Sequence, residues 1–158
     1  MDIRLGQGVD VHQLKENIPL IIGGLKIPYH KGSKGHSDGD ALIHAIVDAI
    51  FGALSLGDLG THFPSADPKW KNANSIIFLE YANDLILKHG YSISNIDTTI
   101  ILQEPVLKNH IIPMKIFLCK VLSLKSDQLS IKATTTDHLG FIGNGDGIAS
   151  LATIVLIK

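Results

Sequence analysis

Asp10-Val11-His12 sets a carboxylate and an imidazole two residues apart. In an extended strand, residues i and i+2 point to the same side, so both groups would face one way. Both can ligate zinc, and a third ligand from another element would leave the open position that a catalytic zinc site keeps. His44 is the natural third, because it falls in a helical stretch with Asp40 one turn before it and Asp48 one turn after. Either aspartate could accept a hydrogen bond from the free ring nitrogen of His44 and fix its tautomer. An Asp-x-His pair alone is equally the end of a solvated strand; the flanked histidine on the helix adds to it.

Two other clusters could hold phosphate. His36-Ser37-Asp38-Gly39-Asp40 combines a glycine-bearing loop, a hydroxyl and a helix start, provided that a metal offsets the two aspartates. Ser37 or Asp38 could equally do no more than cap the helix. Lys132-Ala133-Thr134-Thr135-Thr136-Asp137 offers three hydroxyls, backbone amides and a carboxylate to phosphate oxygens and a hard cation such as Mg²⁺. The same run also reads as a Thr-rich strand followed by a helix cap at Thr136 or Asp137. Gly143-x-Gly145-x-Gly147 precedes a strand, so it is a tight turn and not a dinucleotide fingerprint. His30, His62, His89, His110 and His138 show no partner pattern and are expected mostly at the surface.

The elements that must position these groups follow from periodicity. Residues 3–11 and 18–27 read as strands, the second broken by Gly23-Gly24, and residues 30–37 as a polar loop. A helix runs from residue 40 to about 55, with Leu42, Ile43, Ile46, Val47 and Ile50 on its apolar face. Helices are also expected over 73–89 and 109–122, and strands over 96–102, 129–133 and 148–157. The last is nearly continuously apolar and should lie centrally in its sheet. The pattern predicts an α+β fold, a mixed sheet with helices on one face, in one domain over residues 1–158.

Composition excludes several classes. Apolar residues make up 45% and charged ones 18%, with mean hydropathy +0.23, so some apolar surface should be covered by partner subunits. A net charge of −1 offers no basic field for nucleic acid, and no apolar run is long enough to span a membrane. Cys119 is the only cysteine and sits in an apolar run, which reads as a buried structural thiol in a reducing compartment. With no leader-like start, a bacterial cytoplasmic location is expected.

Taken in order, Gly8-Val9-Asp10-Val11-His12, Ile22-Gly23-Gly24, Ile27-Pro28-Tyr29, His36-Ser37-Asp38-Gly39-Asp40 with His44, Gly57-Asp58-Leu59-Gly60, Phe63-Pro64 and Lys132-Ala133-Thr134-Thr135-Thr136 resemble the 2-C-methyl-D-erythritol 2,4-cyclodiphosphate synthase family. The resemblance spans essentially the whole chain, through Gly140-Phe141 and Gly147-Ile148-Ala149. It implies a chorismate-mutase-like homotrimer with sheets around a threefold axis and active sites between subunits. It implies that Asp10, His12 and His44 bind zinc or another divalent cation, while His36 and Thr135 stabilise the pentacoordinate phosphorus. Ser37 would hold the diphosphate of a cytidine diphosphate substrate. Asp58, Leu59 and Gly60, with Phe63, Pro64, Ser65, Ala66 and Asp67, would contact the methylerythritol phosphate. Leu102, Gln103, Glu104, Pro105, Val106, Leu107 and Lys108 would form the cytosine pocket. Thr134, Thr136 and Asp137 would serve the phosphates and a second cation, Mg²⁺ or Mn²⁺, and Phe141 and Asn144 would complete the substrate contacts.

The implied reaction is attack of the substrate's 2-phosphate on the β-phosphorus, with CMP leaving. Where the family commonly has Glu, Arg or Lys, a residue of the acidic type and Lys, this chain has Asp137, Asn144, Ser65 and Val106, and Val9 replaces a frequent Phe. None of these touches the proposed zinc ligands. Two other readings are a trimeric binding module without turnover and a metal-free rearrangement on a related trimeric fold.

Overall fold

The computed structural model describes residues 1–158. Strand β1 (Ile3–Glu16) is followed by the short strands β2 (Leu20–Ile22), β3 (Leu25–Ile27) and β4 (Lys31–Lys34), then helix α1 (Ala41–Leu54). After these come α2 (Leu59–His62), α3 (Ile76–Lys88), β5 (Ser92–Ile101), α4 (Ile111–Val121), β6 (Leu129–Thr134), α5 (Gly140–Gly143) and β7 (Gly147–Ile157). Five strands make a mixed sheet in the order β4-β1-β7-β5-β6, and β2 and β3 form a separate hairpin. β7 is central, as its apolar sequence predicts, and runs antiparallel to β1 and β5; β5 and β6 are parallel.

One row of side chains on this sheet is buried under the helices, and the other is largely uncovered on β1 and only partly buried on β7. Gly6, Gly8 and Leu14 of β1 and Ile148, Ala152, Ile154 and Leu156 of β7 face α1, which packs across both strands. α3 packs on α1 and β5, and α4 packs on β6. The buried apolar side chains form one continuous cluster. The opposite row of β1 leaves Ile3, Leu5, Val9 and Val11 between 51% and 67% exposed. That is an apolar sheet face with no helix over it.

Glycine sets the closeness of α1 to β1. A Cβ on Gly8 would lie 2.0 Å from the carbonyl oxygen of Ala45, and one on Gly6 would lie 1.9 Å from that of Ala49. Any side chain at either position would push the helix away, and His44 with it.

Some expected boundaries move. Residues 31–34 are not loop but the edge strand β4, because pairing with residues 13–16 extends β1 well past Val11. The stretch 18–27 is a hairpin, not one broken strand; Gly23 and Gly24 have φ of 60° and 76°, left-handed values that turn the chain. β5 begins at Ser92, earlier than expected, and α3 begins at Ile76, later than expected.

Candidate metal and substrate site

Asp10 and His12 project from the helix side of β1, and the close approach of α1 brings His44 above them. His12 Nδ1 lies 2.8 Å and His44 Nδ1 3.3 Å from the same Asp10 oxygen, Oδ2. One ligand atom from each residue falls within 4.8 Å of the others, a spacing suited to a single cation. Asp10 Oδ2 and His12 Nδ1 are buried without an ordinary hydrogen-bond partner, as orphaned polar atoms are where a cation belongs. One carboxylate and two imidazoles are a donor set for zinc-type divalent ions. Burial pushes the Asp10 carboxyl up, but the adjoining His12 and His44 imidazoles outweigh it and hold it at about 2. Burial depresses the His44 imidazole, yet the facing Asp10 carboxylate, with Asp40 and Asp38 nearby, raises it above the ordinary value overall. The site is therefore built around a carboxylate that stays ionised.

The expected partners of His44 are corrected. Neither Asp40 nor Asp48 reaches its ring. Asp40 is fully buried and caps α1, accepting hydrogen bonds from the backbone N–H groups of Gly23 (3.0 Å), Gly24 (2.7 Å) and Ile43 (3.0 Å). The cap is thus Asp40, not Ser37 or Asp38. Asp48 accepts from Leu59 N–H at 2.7 Å and so fixes the start of α2. His44 Nε2 instead meets Ser75 Oγ at 2.9 Å and Ser37 Oγ at 3.1 Å. Ser75 was not legible as a site residue; its only signal is a Ser before an apolar helical run, which reads as an ordinary cap.

The cation group opens into a pocket lined by His36, Ser37, Leu59, Phe63 and Ser65, with Trp70 and Phe78 as aromatic walls that sequence reasoning missed. Phe63, Trp70 and Phe78 pack on one another, with ring centroids 4.4 to 5.8 Å apart. His36 is exposed at the mouth, its Nε2 3.4 Å from the carbonyl of Asp67. Asp58, Gly60, Pro64, Ala66 and Asp67 lie on the neighbouring turns and do not line the pocket; Asp58 Oδ1 is occupied in capping α2, accepting from Thr61 N–H at 2.8 Å.

The remaining predicted residues gather elsewhere. Leu102, Gln103, Pro105, Val106, Leu107, Lys108, Thr134 and Thr135 line a second pocket, at the ends of β5 and β6. Glu104 and Asn144 line a third, with Tyr29, His30 and Lys31. Asp137 is exposed with φ of 51°, its Oδ1 3.5 Å from Thr135 Oγ1, and Thr136 donates to the carbonyl of Leu139 at 2.7 Å, so neither caps a helix. Phe141 is half exposed and its ring lies over Gly147. β1 and β6 are three strand spacings apart, about 14 Å. Within one chain, the pocket beside Asp10, His12 and His44 and the pocket that holds Thr135 are separate, at the same end of the sheet.

The chain matches the family model described as YgbB family over residues 3–157. It is 52% identical over 156 residues to 2-C-methyl-D-erythritol 2,4-cyclodiphosphate synthase of Clostridium perfringens, covering 99% of this chain and 100% of the relative. Among solved structures it is similar to the bifunctional IspDF of Campylobacter jejuni (TM-score 0.94, 42% identity), covering 98% of this chain and 42% of that one. It is also similar to the CDP complex of Plasmodium falciparum IspF (TM-score 0.88, 41% identity, covering 99% and 96%). No helix of the chain is long and apolar enough to cross a membrane. With a partly buried Asp-His-His group beside a polar loop, on a fold shared along its whole length with these relatives, the chain belongs to the YgbB family, the 2-C-methyl-D-erythritol 2,4-cyclodiphosphate synthases.

Proposed function

We propose that this chain converts 4-diphosphocytidyl-2-C-methyl-D-erythritol 2-phosphate to 2-C-methyl-D-erythritol 2,4-cyclodiphosphate and releases CMP. An oxygen of the 2-phosphate forms a bond to the β-phosphorus, and the bond from that phosphorus to the oxygen bridging it to the α-phosphate breaks. The observation that carries this reading is the Asp10-His12-His44 group, opening into the pocket that holds His36 and Ser37. All the reacting groups are anionic, so catalysis is mainly positioning and charge neutralisation. A zinc ion held by the three side chains would supply a Lewis acid for a phosphoryl oxygen. Ser37 Oγ binds the diphosphate, His36 and Thr135 stabilise the crowded phosphorus, and no protein nucleophile is needed.

Asp58 to Gly60 and residues 63–67 receive the methylerythritol phosphate, with the aromatic wall excluding water. Residues 102–108 take cytosine, mainly through backbone groups. Thr134, Thr136 and Asp137 serve the phosphates with Mg²⁺ or Mn²⁺, and Phe141 and Asn144 sit at the margin.

The two half-sites argue for a homotrimer of chorismate-mutase-like form, in which the cation pocket of one copy faces the Thr135 pocket of the next. The uncovered apolar row of β1 supports this, because a threefold packing of sheets would bury it. The continuous core supports a single domain over residues 1–158. The lone buried Cys119 is in keeping with a reducing bacterial cytoplasm.

Incubating purified protein with the diphosphocytidyl substrate, with and without a strong chelator, tests the reading. CMP and the cyclic diphosphate should appear in equal amounts, and chelation should stop both. Folded, metal-replete protein that releases neither is not this enzyme.

A further inference from the structure

Ser75 is completely buried and lies 37 residues from Asp38, yet the two are joined twice. Ser75 N–H donates to Asp38 Oδ2 at 3.0 Å, and the Ser75 hydroxyl donates to Asp38 Oδ1. The same hydroxyl oxygen lies 2.9 Å from His44 Nε2. A serine hydroxyl has one proton, and a carboxylate can only accept. With that proton committed to Asp38, Ser75 Oγ faces His44 with lone pairs alone, and the Nε2 atom must carry the hydrogen. The lone pair of a neutral His44 is then on Nδ1, the nitrogen that faces Asp10 Oδ2.

We infer that Ser75, oriented by Asp38, is a positioning residue that sets the His44 tautomer and aims its Nδ1 lone pair at the metal. This rests on the metal reading above and adds to it. Metal-ligating histidines usually donate their second nitrogen to a carboxylate or carbonyl, which fixes the ring and raises its basicity. Here a hydroxyl is interposed between imidazole and carboxylate. The arrangement has a consequence for Ser37: its hydroxyl, 3.1 Å from the same Nε2, is not required to hold the ring and remains available to the diphosphate. Further bonds tie the same two segments, from Asp38 N–H to the carbonyl of Ala73 (3.1 Å) and from Asn72 N–H to that of His36 (2.7 Å). The loop bearing His36 and Ser37 is therefore held to the start of α3 at the point where α3 supports the metal ligand.

Two measurements on the full chain test this. Zinc affinity, by competition with a chelator, should fall about 10- to 100-fold in Ser75→Ala. It should fall less in Asp38→Asn, which keeps the hydroxyl but weakens its orientation. Nitrogen-15 spectra of the zinc-loaded parent should show His44 with hydrogen on Nε2 and coordination through Nδ1. A side chain that only filled space would move neither the tautomer nor, in Asp38→Asn, the affinity. If Ser75→Ala fails to fold, Asp38→Asn and the parent spectrum still decide. Zinc bound within twofold of the parent by a folded Ser75→Ala, or coordination through Nε2, overturns the inference and leaves the metal site standing. A parent that binds no zinc overturns both.

Discussion

At the scale of single residues, the three carboxylates near His44 divide the work differently from what spacing suggests. Asp10 faces both imidazoles, Asp40 holds backbone, and Asp48 holds the next helix. Burial pushes the Asp40 carboxyl up to about 6, against the Gly24, Ile43 and Gly23 N–H groups that pull it down. An acid with a raised folded-state value binds more protons folded than unfolded between 3.8 and about 6. Its contribution to stability is thus full below the lower value and is lost as pH rises through the upper one. The stability advantage of the parent over Asp40→Asn should shrink as pH is raised across that window, as read by urea unfolding in chelator. An advantage that grows with pH would contradict this. The shared face of Asp10 and His12 was legible, because i,i+2 on a strand is a local rule that needs no tertiary knowledge, and the structure does bring His44 to them. Ser75 was not, because its partner is 37 residues away and joined only by folding.

At the scale of elements, the site depends on how near α1 lies to β1. Gly8→Ala would drive a methyl into the Ala45 carbonyl, at a cost of about 3 kcal/mol, and should weaken metal binding by lifting His44 off Asp10. Gly52→Ala, in the last turn of α1, is the control, because its Cβ would meet nothing nearer than 3.8 Å and a helical alanine should stabilise by up to about 1 kcal/mol. Chemical unfolding and metal titration of the two variants read both effects. Unchanged stability and affinity in Gly8→Ala would mean that the close approach does not matter. Helix α1 was readable from its apolar spacing, and β7 from its continuous apolar run. β4 was not, since Lys31-Gly32-Ser33-Lys34 has no apolar alternation and becomes a strand only because β1 offers it an edge. Asn74 Oδ1 accepts from Ile76 N–H (3.0 Å) and Ser75 is held by Asp38, which delays the start of α3 in a way no propensity reveals.

At the scale of the whole molecule, the apolar surplus in the composition appears as the bare face of β1, and the residues proposed as catalytic, His36 and Thr135, fall into two pockets that one chain does not join. If neighbouring copies complete each site, His44→Ala and Thr135→Ala should each be inactive alone yet complement one another. Equimolar mixing with subunit exchange would give one intact site in four, about a quarter of parental CMP release. No recovery in verified mixed assemblies would place the two half-sites outside a shared centre. The dependence of the chemistry on a cation held by Asp10, His12 and His44 is tested most directly by elemental analysis paired with CMP release. The parent should carry one divalent ion per chain at this site and turn over, and His44→Ala should lose both while remaining folded. Full turnover by a metal-free parent, or a His44→Ala protein that keeps its ion, would contradict it.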